Sequence, residues 1–191
     1  MEPLERLFGS AARLKLLRLF LFNDDTPFTL ADAAFRTKLG KEPARKEISV
    51  LIAAGVVKKR KASGAAQYQA NARASFYDAL KAFMRATTTI GDSKIADSLK
   101  KSGGLRLIVL TGLFTGSIEP KVDMLIVGDR LEERAVANAV HSLEAELGRE
   151  LRYAAFSTED FRYRVGVYDR LLRDVFDYPH RAILDKIGLK D

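Results

Sequence analysis

The stretch Leu105–Gly128, LRLIVLTGLFTGSIEPKVDMLIVG, decides how the chain is read. Two apolar runs, Leu105–Leu110 and Val122–Val127, flank a loop holding Gly112, Gly116, Ser117 and Pro120. Runs of this length, rich in Val, Ile and Leu and bounded by turn residues, predict buried strands. A Gly-Ser pair then lies on the loop after one strand, and a lone carboxylate, Asp123, at the start of the next. That layout raises phosphate and metal chemistry as a question for the rest of the chain.

Working outward, Asp92 or Ser93 is expected to cap a helix through Lys101, with Ile95, Ala96 and Leu99 inward. Ser102-Gly103-Gly104 then leads into the first strand. Beyond the second strand, apolar residues from Leu131 to Leu147 recur at helical spacing, and Gly148 stops that helix. A third strand is expected over Leu151–Phe156. Ser157-Thr158-Glu159-Asp160 caps a helix over Phe161–Val167, a further helix covers Tyr168–Phe176, and a tail helix follows Pro179. Residues 92–191 thus form a small α/β or α+β layer.

Upstream, Leu4–Phe22 reads as one helix, with Arg6, Arg13, Lys15 and Arg18 mostly on its outer face. Thr29 caps a second helix, Leu30–Leu39, and Lys41-Glu42-Pro43 opens a third that runs to Ala54 and stops at Gly55. The third helix buries Ile48, Leu51 and Ile52 and exposes Lys41, Arg45, Lys46 and Ser49. Val56–Ala70 makes a β-hairpin of a short strand, a basic tip with Ser63-Gly64, and a return strand, carrying the run Lys58-Lys59-Arg60-Lys61. Ala74–Ala86 is a linker helix whose stripe is Phe76, Leu80, Phe83, Met84 and Thr87. Thr87–Gly91 is the expected boundary, giving modules 1–75 and 92–191 joined by 76–91.

Charge follows the same division. The net charge is +7; residues 1–75 hold 14 Lys/Arg against 7 Asp/Glu, and residues 76–191 hold 18 against 18. The whole excess therefore sits in the first module, which suits a polyanionic partner, although a solvated basic surface would look the same. With no Cys there is neither a disulfide framework nor a thiolate metal site, and a reducing cytoplasm fits. No apolar run approaches a membrane span, and the acidic, amphipathic start does not read as a secretory signal.

Three helices followed by a basic hairpin, ending ISVLIAAGVVKKRKASGAAQYQAN, resemble small bacterial and archaeal winged helix-turn-helix regulators. The resemblance implies double-stranded DNA as partner. Lys41, Arg45, Lys46 and Ser49 would lie at the major groove, and Lys58, Lys59, Arg60 and Lys61 on phosphates. Residues 93–184 resemble a minimal nucleotidyltransferase domain of the polymerase-β-like superfamily, through Gly116-Ser117, Asp123 in VDMLIVG, FSTEDFRYRV and LLRDVFDYPHRAIL. Active members place three carboxylates around two Mg²⁺ ions. Here Lys121 stands at the first position and Arg152 falls near the third, which leaves Asp123 alone. A two-metal site needs several hard oxygen ligands, and cations beside one Asp repel the ions instead.

Two readings keep chemistry at this place. Glu119 could supply a carboxylate, or Gly116, Ser117, Lys121, Asp123 and Arg152 could form a degenerate nucleotide or anion site. Otherwise Asp123 pairs with one of the two cations. His141 and His180 lack the companions of a metal set. The expectation is an α+β protein: a winged helix-turn-helix and a small nucleotidyltransferase-like α/β domain that is a pseudoenzyme. It acts as a cytoplasmic, homodimeric DNA-binding transcriptional regulator without catalytic residues, metal or cofactor. A divergent nucleotidyltransferase, and an antitoxin-like module with a protein partner, are the alternatives.

Overall fold

In a computed structural model describing residues 3–60, 64–117 and 119–189, the chain is α+β and divides into two compact units. The first comprises residues 1–90 with 141–149, and the second 91–140 with 150–191.

The first unit begins with two helices, α1 (Pro3–Phe8) and α2 (Ala11–Phe22), where the sequence predicts one. Gly9 takes φ +75°, and Ser10 accepts a hydrogen bond from the Arg13 amide at 3.2 Å, so the break is a glycine stop followed by a serine cap. Helix α2 is buried all round, at Leu14, Leu16, Leu17, Leu19, Phe20 and Leu21. Arg18, expected outside, is 3% exposed. Its guanidinium donates to Thr88 Oγ1 at 3.2 Å and to the Glu146 carbonyl at 2.9 Å.

A short strand β1 (Phe28–Thr29) leads into α3 (Leu30–Arg36), which carries a reciprocal Thr29–Asp32 capping box and ends before Leu39, with Lys38 at φ 54°. Helix α4 (Lys41–Ala53) follows, then strands β2 (Val57–Arg60) and β3 (Gln67–Ala70). The three strands pair antiparallel in the order β1-β3-β2. Helix α5 (Tyr77–Thr87) closes the unit on Tyr77 and Met84, whereas Phe76 and Phe83, expected on its inner stripe, are exposed.

The second unit opens with α6 (Asp92–Leu99), whose N-cap is Gly91 rather than Asp92 or Ser93. Its sheet holds β4 (Gly104–Leu110), β5 (Met124–Asp129), β6 (Tyr153–Phe156) and β7 (Arg181–Asp185) in the order β6-β5-β4-β7. Strands β5 and β6 are parallel, with α7 (Glu133–Leu147) lying between them in the chain; the other pairs are antiparallel. Leu107, Val109, Leu125 and Val127 pack with Phe161, Leu172 and Val175 of α8 (Thr158–Gly166) and α9 (Arg170–Phe176). Ile108, Leu110, Met124 and Ile126, on the opposite face, are equally buried. Burial on both faces explains why β4 and β5 read as continuous apolar runs rather than alternating ones.

The tail after Pro179, expected as a helix, is β7. Five residues without a helical cap are too few for an independent helix, and β4 offers them a ladder of backbone partners.

Candidate functional site

Helix α4 shows a divided face. Ala44, Glu47, Ile48 and Leu51 are buried, while Lys41, Arg45, Lys46 and Ser49 are exposed. The buried acid fixes the rotation of the helix: Arg13 of α2 donates to Glu47 Oε2 at 2.8 Å and to the Phe8 carbonyl at 2.7 Å. On the outer face Arg45 pairs with Glu42 at 2.6 Å, and Ser49 Oγ donates to the Arg45 carbonyl at 2.9 Å. Both partners of the Arg45–Glu42 pair are more than half exposed, so the pair holds Arg45 weakly.

Strand β2 presents Lys58, Lys59 and Arg60 to solvent; Lys61 lies outside the described residues. Arg60 donates to Gln69 Oε1 at 2.9 Å, and Gln69 Nε2 to the Asp24 carbonyl at 2.8 Å. The Asp24 carboxylate accepts from Tyr77 at 2.8 Å and from Lys81. Burial, followed by this hydrogen bond to a carboxylate, pushes the Tyr77 phenol well above its ordinary value. The hairpin is therefore tied at its base to α5 through Asp24, which follows the end of α2. Helix, short strand, helix, helix and hairpin, with strand order β1-β3-β2, make the architecture of a winged helix-turn-helix.

In the second unit Asp123 is 3% exposed and sits just ahead of β5. Its carboxylate accepts four N–H groups: Leu113 N at 2.9 Å, Arg152 N at 2.9 Å, Arg152 Nε at 3.1 Å and Arg152 Nη2 at 3.0 Å. Burial alone would raise its pKa, but the hydrogen bonds from Arg152 and the two amides, together with the Arg152 charge, hold it below the ordinary carboxylate value. Four donors use the lone-pair sites of both oxygens, which leaves little capacity for a metal ion.

The remaining members of the expected anion site do not join this pair. The Lys121 amide donates to Asp174 at 2.6 Å, and its exposed ammonium makes no ion pair among the described residues. Ser117 Oγ donates to the exposed Glu119, so neither hydroxyl nor acid is bonded to Asp123. Gly116, at φ +74°, is exposed. Among the described residues no group of three or more His, Asp or Glu is placed to hold a metal. His141 and His180 both hydrogen-bond backbone carbonyls, those of Phe35 at 3.0 Å and Tyr178 at 2.8 Å.

Gly112 completes the arrangement. It has φ +51°, and a Cβ there would collide with Asp123 Oδ1 and come within 3.1 Å of the Val122 carbonyl. Gly112→Ala should cost about 2 kcal/mol, from the left-handed backbone and displacement of the carboxylate. In an Asp123→Ala background the cost should fall to about 1 kcal/mol, the conformational part alone. Urea denaturation of the four proteins checks this; an unchanged cost in that background contradicts the packing.

No protein-family model matches the sequence, and no curated protein matches it. Among solved structures, reduced HlyU from Vibrio cholerae N16961 is similar over 44% of this chain and 79% of its own, at 19% identity and a TM-score of 0.34. Among the described residues, no helix is long and apolar enough to cross a membrane.

Proposed function

We propose that this protein is a DNA-binding transcriptional regulator that recognises duplex DNA through α4 and the β2–β3 wing. The observation that carries the reading is the exposed row Lys41, Arg45, Lys46, Lys58, Lys59 and Arg60, on the two elements a winged helix offers to DNA. Arg45, Lys46 and Ser49 face the major groove, and the wing cations hold phosphates without reading sequence. Lys61 belongs to the same basic run by sequence. A two-fold pair of copies would read a palindromic site. The second unit serves this role as a non-catalytic scaffold, a reading supported by the four-donor saturation of Asp123.

The test is anisotropy of the full chain on labelled duplex DNA between 50 and 300 mM salt, conditions set by the counterion argument. Affinity should fall linearly in log–log form with a slope of about −4 to −5, since each neutralised phosphate contributes about −0.9. Replacing Lys58, Lys59 and Arg60 together by Ala should weaken binding about tenfold and reduce the slope by about 2 to 3. A flat salt response, or no binding at low salt, rejects the proposal. Transfer of a labelled nucleotide in Mg²⁺ that depends on Asp123 would restore the enzymatic alternative.

A further inference from the structure

The end of the second unit's sheet opposite Asp123 gathers more cations than carboxylates. Antiparallel pairing sets Gly104 against Asp129 and Leu107 against Asp185, and the Lys186 amide donates to the Arg106 carbonyl at 2.7 Å. Arg106, Asp129 and Lys186 therefore meet at one edge. Six residues of strand, about 20 Å, separate Asp129 from Asp123. Two adjoining concavities open here, of about 650 and 480 Å³, and share these three residues. Lys100 and Arg130 line the first, Glu159 and Arg162 the second.

Five cations thus face two carboxylates, in a half of the chain whose charges balance overall. Arg106 is paired with Asp129 at 2.9 Å, and Lys100 with Asp97 at 2.5 Å. Arg162 and Lys186 have no ion pair among the described residues; Asp129, already paired with Arg106, is also drawn to the Arg130 charge, and Glu159 is the other acid in the cavity walls. Concave surfaces lined by one sign of charge concentrate counter-ions, and a bound anion relieves the repulsion among the cations.

Backbone geometry points to the same place. Arg130 adopts φ +52°, a left-handed conformation that costs a non-glycine residue about 1 kcal/mol or more. Gly103 permits it, because a Cβ there would stand 2.6 Å from the Arg130 carbonyl oxygen. The Glu132 amide, donating to Ser102 at 2.8 Å, holds the same turn. Strain of this kind is retained where surrounding structure over-determines it, and here it falls on a residue that lines the first concavity. The place lies outside the carboxyl ends of the parallel strands β5 and β6, where open α/β sheets receive ligands.

We propose that these two concavities bind a linked diphosphate, free or as the arm of a larger molecule, through Arg130, Arg162 and Lys186. A single phosphate would occupy one concavity and leave part of the charge unmet; two linked phosphates span the shared wall and meet the cations on both sides. This site is independent of the DNA-binding reading.

Calorimetric titration of the full chain with inorganic pyrophosphate at constant ionic strength tests it, with orthophosphate and adenosine diphosphate as further arms. Pyrophosphate should bind saturably and at least tenfold more tightly than orthophosphate. Adenosine diphosphate binding equally assigns the diphosphate alone, and binding more tightly assigns it to a nucleotide; both uphold the site. Arg130→Gly with Lys186→Gln should weaken pyrophosphate at least tenfold without lowering Tm, because glycine relaxes the left-handed position. Arg45→Ala with Lys46→Ala should leave pyrophosphate binding unchanged while weakening DNA. The proposal is overturned by equal affinity for orthophosphate, by no saturable binding, by full affinity in the Arg130/Lys186 variant, or by loss of binding in the Arg45/Lys46 variant.

Discussion

Asp123→Ala should destabilise the protein by about 3 kcal/mol, with the loss read as an earlier urea transition of the second unit. The estimate rests on what the substitution leaves behind. The Leu113 and Arg152 amides lose their acceptor, and each orphaned buried donor costs about 1–3 kcal/mol. The Arg152 side chain is 53% exposed and can return to water, so its loss adds little. Arg152→Ala should therefore cost only about 1 kcal/mol, because its backbone bond to Asp123 survives. Asp123→Asn should fall between the two, since an amide can accept from some of the donors but places its own NH₂ against others.

The same group sets a pH dependence. The folded-state pKa of Asp123 lies below the ordinary carboxylate value, so its contribution is fully present above the unfolded pKa and is lost as pH falls through the folded one. The gap between wild type and Asp123→Asn should be widest near neutrality and close as pH drops below about 4. A carboxylate kept for catalysis gives the opposite result, because replacing such a group commonly raises stability. If Asp123→Asn is as stable as wild type at pH 7, the carboxylate is not a structural latch.

Much of this architecture is legible in residue patterns, and the exceptions have physical causes. Helix α4 and the hairpin announce themselves because each has one wet face, and period and composition then agree. Leu105–Leu110 and Val122–Val127 mark β4 and β5 through unbroken apolarity. The tail strand β7 is not legible, because its partner β4 lies some seventy residues away in sequence and local propensity says nothing about a free edge. Arg18 misleads for a similar reason. A cation in an apolar helix reads as an exposed face, but AARLKLLRLFLF is apolar all round and must be buried all round, so Arg18 finds its acceptors inside.

Pattern shows that Asp123 lacks its carboxylate companions and that a cation stands near it. It does not choose between Lys121 and Arg152, because that depends on the parallel register that sets Met124 beside Tyr153 and so brings Arg152 next to Asp123. The cluster of Arg106, Asp129 and Lys186 is likewise invisible in sequence: β4 and β5 contribute Arg106 and Asp129, Lys186 follows β7 directly, and only the pairing of the three strands gathers them.

Gly148→Ala should be the most damaging single methyl in the first unit, at about 4 kcal/mol. Gly148 has φ +71°, and an added Cβ would stand 2.5 Å from the Arg18 carbonyl carbon, 2.6 Å from its Cβ and 2.8 Å from its carbonyl oxygen. Two of those atoms are backbone of α2, the most enclosed helix of the unit, so no side-chain rotation relieves the overlap. Gly55→Ala supplies the control, because Gly55 also has a left-handed φ, +75°, but nothing lies within 4 Å of its missing Cβ. That variant carries the conformational cost alone, about 1 kcal/mol. The difference between the two, measured by urea denaturation, isolates the overlap with α2. It should reach about 3 kcal/mol and should persist in an Arg18→Ala background, since the clashing backbone atoms remain. Equal costs for the two glycines would mean that Gly148 does not pack on Arg18, and the burial of Arg18 would then need another origin.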